Sequence, residues 1–221
     1  MKYLSITFAM LTLTGSAWAQ TANSWLIQGG ATHIAPDVSS GTLSAPAPAN
    51  TQIDVGSDAR ATAQVAYMLT DSWSIAVPLG AGFKHKLYGA GGIAGVGQIG
   101  TVTALPITAF LQYRLGAAQE QIRPYAMLGA SYVRFRDAQG SATLNGINPA
   151  NPPSGNTGLS VDSKMALSTG LGVYVQVKDD WFVDLSYAKT YLSTTATLST
   201  GQTISTKLNP HIFSIGVGKR F

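Results

Sequence analysis

Three histidines, His33, His85 and His211, are the side chains in this sequence best suited to proton chemistry at neutral pH. A hydrolase working at a membrane rim would set one of them beside a serine and an acid, with the imidazole as general base. His33 and His85 fall near predicted strand ends, with Asp37 and several serines in adjoining loops, but no spacing ties them into a triad. Metal binding is no better supported, because the histidines are far apart and no i, i+4 pair exists. There is no cysteine, which excludes disulfides and thiolate metal sites. Gly89-Ala90-Gly91-Gly92-Ile93-Ala94 fits the G-x-G-x-x-A dinucleotide pattern. That pattern needs a helix directly after it and an acid about 20 residues on. Gly95 and Gly97 break any helix, and the next acid is Glu120, so the stretch reads as a flexible external loop. Asp37, Asp54, Asp58, Asp137 and Asp162 lie in predicted loops and read as solvated surface. No catalytic residue, metal site or cofactor is assigned.

The elements that would carry these residues read as strands. In the closing stretch, Phe213, Ile215, Val217, Lys219 and Phe221 alternate with Ile212, Ser214, Gly216, Gly218 and Arg220. Successive side chains of a strand point to opposite faces, so one face is greasy and the other small and mostly polar. Charged residues make up 11% of the chain, well under the usual share of about a quarter. No stretch of the mature chain approaches the roughly 20 apolar residues of a membrane helix. A charge-poor, strand-patterned chain of this kind fits a barrel in lipid. The net charge of +4 is scattered, without the clustered cations that nucleic acid requires. Met1-Lys2, an apolar run from Tyr3 to Leu13 and Ala17-Trp18-Ala19 predict a secretory signal over 1–19, with the barrel over 20–221.

Eight strands are predicted: Ser24 to Ala35, Ala59 to Leu69, Trp73 to Lys84, Thr101 to Leu115, Ile122 to Phe135, Lys164 to Val177, Trp181 to Tyr191 and the closing stretch from Lys207. In the third, Ile75, Val77, Leu79, Ala81 and Phe83 form the lipid-facing set. Long loops are expected over 35–58, 88–100 and 136–163, alternating with tight turns at Thr70-Asp71-Ser72, 116–121 and Lys178-Asp179-Asp180, and then a hairpin around Thr200-Gly201. The fold class is thus all-β, an eight-stranded antiparallel transmembrane barrel with long extracellular loops and short periplasmic turns. Trp25, Tyr67, Trp73, Tyr113, Trp181 and Phe221 fall beside the short turns or the termini, forming one aromatic ring at the inner interface. Lys219 and Lys189 share the lipid parity, so each must lie near a rim, where a long side chain snorkels. On the inward parity stand Met68, Pro78, Phe110, Met127, Tyr174, Phe182, Pro210 and Ile212. Eight strands leave an interior that side chains nearly fill, so these residues form either a path for a greasy solute or a packed plug.

Several pieces together resemble the OmpW family of small outer-membrane barrels, which includes AlkL-type proteins. They are Gly30–Pro36, Tyr67–Trp73, Phe83-Lys84-His85, Leu105-Pro106 with Leu111-Gln112-Tyr113, Arg123-Pro124-Tyr125, Asp180-Trp181-Phe182 and Leu208–Phe213 running to Gly218–Phe221. His211 and Lys219 stand where the family usually has Trp and Tyr. The resemblance implies the Gram-negative outer membrane and a narrow, largely apolar lumen that passes small hydrophobic molecules. It implies as partners membrane lipid, those solutes, and the barrel-assembly machinery through the C-terminal strand. The alternatives are a structural or adhesive barrel that conducts nothing and binds a partner through its loops, and, more remotely, a lipid or acyl hydrolase at the rim.

Overall fold

The alternating segments do pair into strands. The computed structural model describes residues 22–147 and 157–221, so the predicted signal segment lies outside the described residues. The strands are β1 Trp25–Ala35, β2 Ser39–Ser40, β3 Thr51–Val55, β4 Asp58–Met68, β5 Trp73–Leu79, β6 Phe83–Gly91 and β7 Gln98–Arg114. They continue with β8 Ile122–Gly140, a short helix α1 Ala142–Ile147, β9 Leu159–Val161, β10 Lys164–Lys178, β11 Trp181–Tyr191, β12 Ser193–Leu198, β13 Thr203–Lys207 and β14 His211–Arg220.

Eight antiparallel staves close on themselves in the order β1, β4, β5 with β6, β7, β8, β10, β11, β14. The ends of the chain make the last joint. Trp25 N–H donates to Phe221 O at 2.9 Å, and Phe221 N–H donates to Trp25 O at 2.8 Å. Closure removes the free edges that would otherwise leave backbone groups unsatisfied in lipid.

Burial is inverted relative to a soluble protein. Leu167, Leu171, Ile107, Leu128 and Ile215 are all more than half exposed, whereas Arg123, Ser74 and Ser168 are fully buried. Large apolar columns facing outward around a polar-bearing interior require hydrocarbon outside. β7 and β8 run to 17 and 19 residues, beyond the roughly 9–11 that cross a bilayer at a tilt. Their outer ends therefore stand above the membrane. Lys189 lies near the outer end of β11, with Nζ 3.4 Å from the Asp37 carboxylate.

The structure corrects the sequence reading in two places. The predicted long loops are partly ordered: β2, β13, β12 and β9 form a small outer sheet, and β3 pairs with β6. Strands of two to six residues are too short to stand out by periodicity. The second correction is Phe83, expected to face lipid but buried inside. The chain breaks between β5 and β6, with Gly82 at φ +95°, and the break reverses the inward parity. Ser74 and Ala76 point inward before it, and Phe83, His85 and Leu87 after it.

Candidate functional site

The short turns hold the inner end of the barrel, and a packed floor closes it there. Arg114, the last residue of β7, turns its guanidinium inward, donating from Nη1 to Ser74 Oγ and from Nη2 to Gln112 Oε1 at 3.1 Å. Ser74 Oγ also bonds Gln112 Oε1 at 3.1 Å, and the guanidinium lies 5.5 Å from the Tyr125 ring centroid. Two strands round the wall, passing over Gly172, the Tyr125 hydroxyl donates to Asp184 Oδ1 at 3.0 Å. Tyr174 and Phe182 stack with centroids 4.7 Å apart. Buried charge is tolerated because neighbouring side chains supply acceptors and a ring face. The inward glycines make room for the rings. A Cβ on Gly172 would meet the Tyr125 ring, and one on Gly218 would meet Phe182 and the Ile27 carbonyl.

Above the floor the interior opens into an apolar cavity of about 160 Å³, comparable with the ~150 Å³ engineered cavity that takes up benzene. Of the inward residues singled out from sequence, Pro78, Phe110, Met127, Pro210 and Ile212 line this cavity. Met68, Tyr174 and Phe182 belong instead to the packing at and around the floor. Two rows of hydroxyls cross the cavity wall. Thr108, Ser131, Ser168 and Thr190 are linked at 2.8, 3.2 and 2.7 Å, and Thr62, Thr32 and Ser214 at 2.8 and 2.9 Å. Bonded to one another, they let the cavity stay largely apolar despite their number.

The cavity reaches a seam in the wall. The β5–β7 ladder ends at Ala76↔Phe110, and the β6–β7 ladder resumes at Phe83↔Ala104. Among the described residues no rung joins 77–82 to 105–109. Pro78 and Pro106 both stand in this stretch, and neither has an N–H to offer a ladder. Leu79, Gly80, Gly82, Leu105 and Pro106 all border the cavity. Arg136 Nη2 donates to Ala81 O at 2.9 Å across the outer end of the break.

Toward the extracellular side Ile53, Leu87 and Ala196 are shared with a second apolar cavity, walled further by Leu43, Ile93, Ile99 and Leu144. The barrel wall separates the histidines. His85 is buried, lines the main cavity near its outer end, and donates from Nδ1 to Gly56 O at 2.7 Å. Burial lowers its pKa, outweighing the Gly56 hydrogen bond and the nearby Asp58 carboxylate, so the ring is held neutral. Asp58 is itself pushed up by partial burial, but the Arg60 hydrogen bond and the Lys84 N–H outweigh that and hold it below the usual carboxylate range. His33 and His211 lie on the outer surface, where His211 Nδ1 is 2.8 Å from the Tyr187 hydroxyl. Trp25, Trp73, Tyr113, Trp181 and Phe221 are exposed on the outer wall beside the short turns, and Tyr67 joins them half-buried. Trp25 packs on Tyr67 and Trp73 on Tyr113, each at 4.8 Å.

The sequence reading missed the floor's polar members, Ser74, Gln112, Arg114, Tyr125 and Asp184. The signal was available: a charge on the inward parity within one strand can only enter an enclosed interior.

A closed barrel of this fold has known counterparts. The family model described as "OmpW family" matches residues 21–221. The chain belongs to the OmpW family. Outer membrane protein W of Vibrio cholerae is 30% identical, with 100% of both chains covered. The dibenzothiophene metabolism operon protein PahQ of Pseudomonas aeruginosa is 26% identical over 100% of this chain and 99% of its own. The crystal structure of OprG from Pseudomonas aeruginosa superposes with a TM-score of 0.80 at 21% identity, covering 92% of this chain and 98% of its own. This OmpW-family chain is thus a Gram-negative outer-membrane barrel, as its relatives are.

Proposed function

We propose that the barrel takes small apolar molecules from the extracellular side and releases them sideways into the outer membrane. The observation that carries this reading is the conjunction of three features: an apolar cavity, a polar floor beneath it and a ladder-free seam beside it. A solute descending from the outer cavity meets the Arg114–Gln112–Ser74 network, which it would have to desolvate, before it meets any periplasmic opening. The seam between Pro78 and Pro106 offers the same solute an apolar route to hydrocarbon. Pro78, Phe110, Met127, Pro210 and Ile212 line the path, while Met68, Tyr174 and Phe182 help block its lower end. The name of the relative PahQ, tied to the metabolism of an apolar aromatic, agrees with this substrate class. The aromatic ring at the inner rim serves as the headgroup-level anchor, and no step requires catalysis.

The test is uptake of an apolar fluorophore by cells with and without the chain, alongside Gly80→Phe. Gly80 borders the seam, its φ is not in the left-handed range, and a Cβ there would meet only Thr62 Cγ2, at 3.3 Å. Expression should raise uptake and Gly80→Phe should cancel most of the gain while the barrel still folds. Equal uptake with and without the chain would overturn the reading and favour a structural or adhesive barrel, for which the closed floor also speaks.

A further inference from the structure

The outer face above the seam carries charge that the cavity and floor do not use. In β6 the buried residues are Phe83, His85 and Leu87, so Lys84 and Lys86 project outward. In β8 the inward set runs through Val133, which turns Arg134 and Arg136 outward. β7 lies between these two strands and puts the four cations in register. Thr103 pairs with Lys84 on one side and Arg136 on the other, Thr101 pairs with Lys86, and Leu105 pairs with Arg134. Adjacent strands lie about 4.8 Å apart, so the backbones of Lys84 and Arg136 are about 10 Å apart, within the span of two long side chains. Arg136 already reaches toward β6, its Nη2 donating to Ala81 O.

Few acids offset this patch. Asp137 lies 3.7 Å from Arg136. Asp58 is taken by Arg60 at 2.8 Å and by the Lys84 N–H. Asp54 pairs with Tyr88, two residues further out than Lys86. Among the described residues Lys84, Lys86 and Arg134 form no ion pair. Its height is set by the same face of β7 and β8. Ile107 and Tyr132, paired across those strands, are 56% and 42% exposed and mark the top of the apolar band. Arg134 is the next outward residue above Tyr132 on β8. The cations thus begin where hydrocarbon gives way to headgroups.

We infer that Lys84, Lys86, Arg134 and Arg136 form a binding site for the phosphate of an outer-leaflet lipid. Guanidinium forks match phosphate oxygens two at a time, and the ammonium groups add point charge. A lipid is the occupant because only a phosphate tethered to acyl chains is held at this height while those chains pack on Ile107 and Tyr132. The site does not depend on the transport reading.

The experiment is native mass spectrometry of the full barrel in detergent, with lipid A, dephosphorylated lipid A or inorganic phosphate as probe. Wild type should retain lipid A over the dephosphorylated form by roughly tenfold, and K84Q/K86Q/R134Q/R136Q should lose that preference. Folding is checked by heat-modifiable gel mobility. Should the fourfold variant not fold, Lys84→Gln with Arg134→Gln replaces it, and Lys178→Gln with Lys219→Gln at the inner rim should change nothing. Equal retention by wild type and the patch variant, equal retention of the dephosphorylated lipid, or displacement by inorganic phosphate at lipid A's own concentration would each overturn the site.

Discussion

At the scale of the residue, the interior is governed by where each polar group finds a partner. His85 stands above the apolar band with its Nδ1 proton committed to Gly56 O, and burial keeps its pKa below the ordinary value of 6.5. In that window the unfolded chain binds a proton that the folded chain does not, so stability falls with pH below the unfolded pKa. Thermal unfolding between pH 7.5 and pH 5.5 should show a fall in wild type that shrinks in His85→Gln; an identical fall in both would remove His85 as its source. Gln112 presents a different dependence. Its Oε1 accepts from both Arg114 and Ser74, so Gln112→Leu leaves a buried guanidinium short of an acceptor. The expected cost is about 1–3 kcal/mol in urea-unfolding measurements.

At the scale of the element, each strand has two faces with unequal demands. The inward face must admit aromatic rings, and it does so by placing glycine opposite them. On Gly218 a Cβ would press on Phe182 and the Ile27 carbonyl, whereas on Gly29 it would meet nothing within 4 Å. Gly218→Ala should therefore destabilise the barrel by about 1–3 kcal/mol. Gly29→Ala should stay within about 0.5 kcal/mol of wild type by the same unfolding assay. The third stave shows the other element-scale device. Pro78 and a glycine-framed break end one ladder with β7 and start another, opposite Pro106 on that strand, so the third stave holds both its side of the seam and a reversal of parity. Alternation made the faces legible in advance, but it could not show that Phe83 had crossed to the other side, because the reversal leaves no periodic mark.

At the scale of the whole molecule, the floor closes the lumen's inner end and the seam interrupts the wall above it. Phe182 stacks on Tyr174 and rests on the Gly218 backbone, so Phe182→Ala removes packing from the floor. The change should cost about 3–5 kcal/mol of stability. It should also raise ion conductance in planar bilayers above the wild-type level, while uptake of an apolar probe persists through the seam. Unchanged conductance would mean that the Arg114 network alone holds the floor shut.

What the sequence by itself determined was the number of staves, their inward and outward columns, and which connections are short. Each of these is local, fixed by the two-residue period of a strand and the chemistry of turns. That Pro78 and Phe110 border a cavity while Tyr174 and Phe182 fill the lumen was decided only by the tertiary structure. All four share the inward parity. What separates them is their height in the closed barrel and the side chains that register brings opposite them, and register between strands as distant in sequence as β1 and β14 is not written in any one of them.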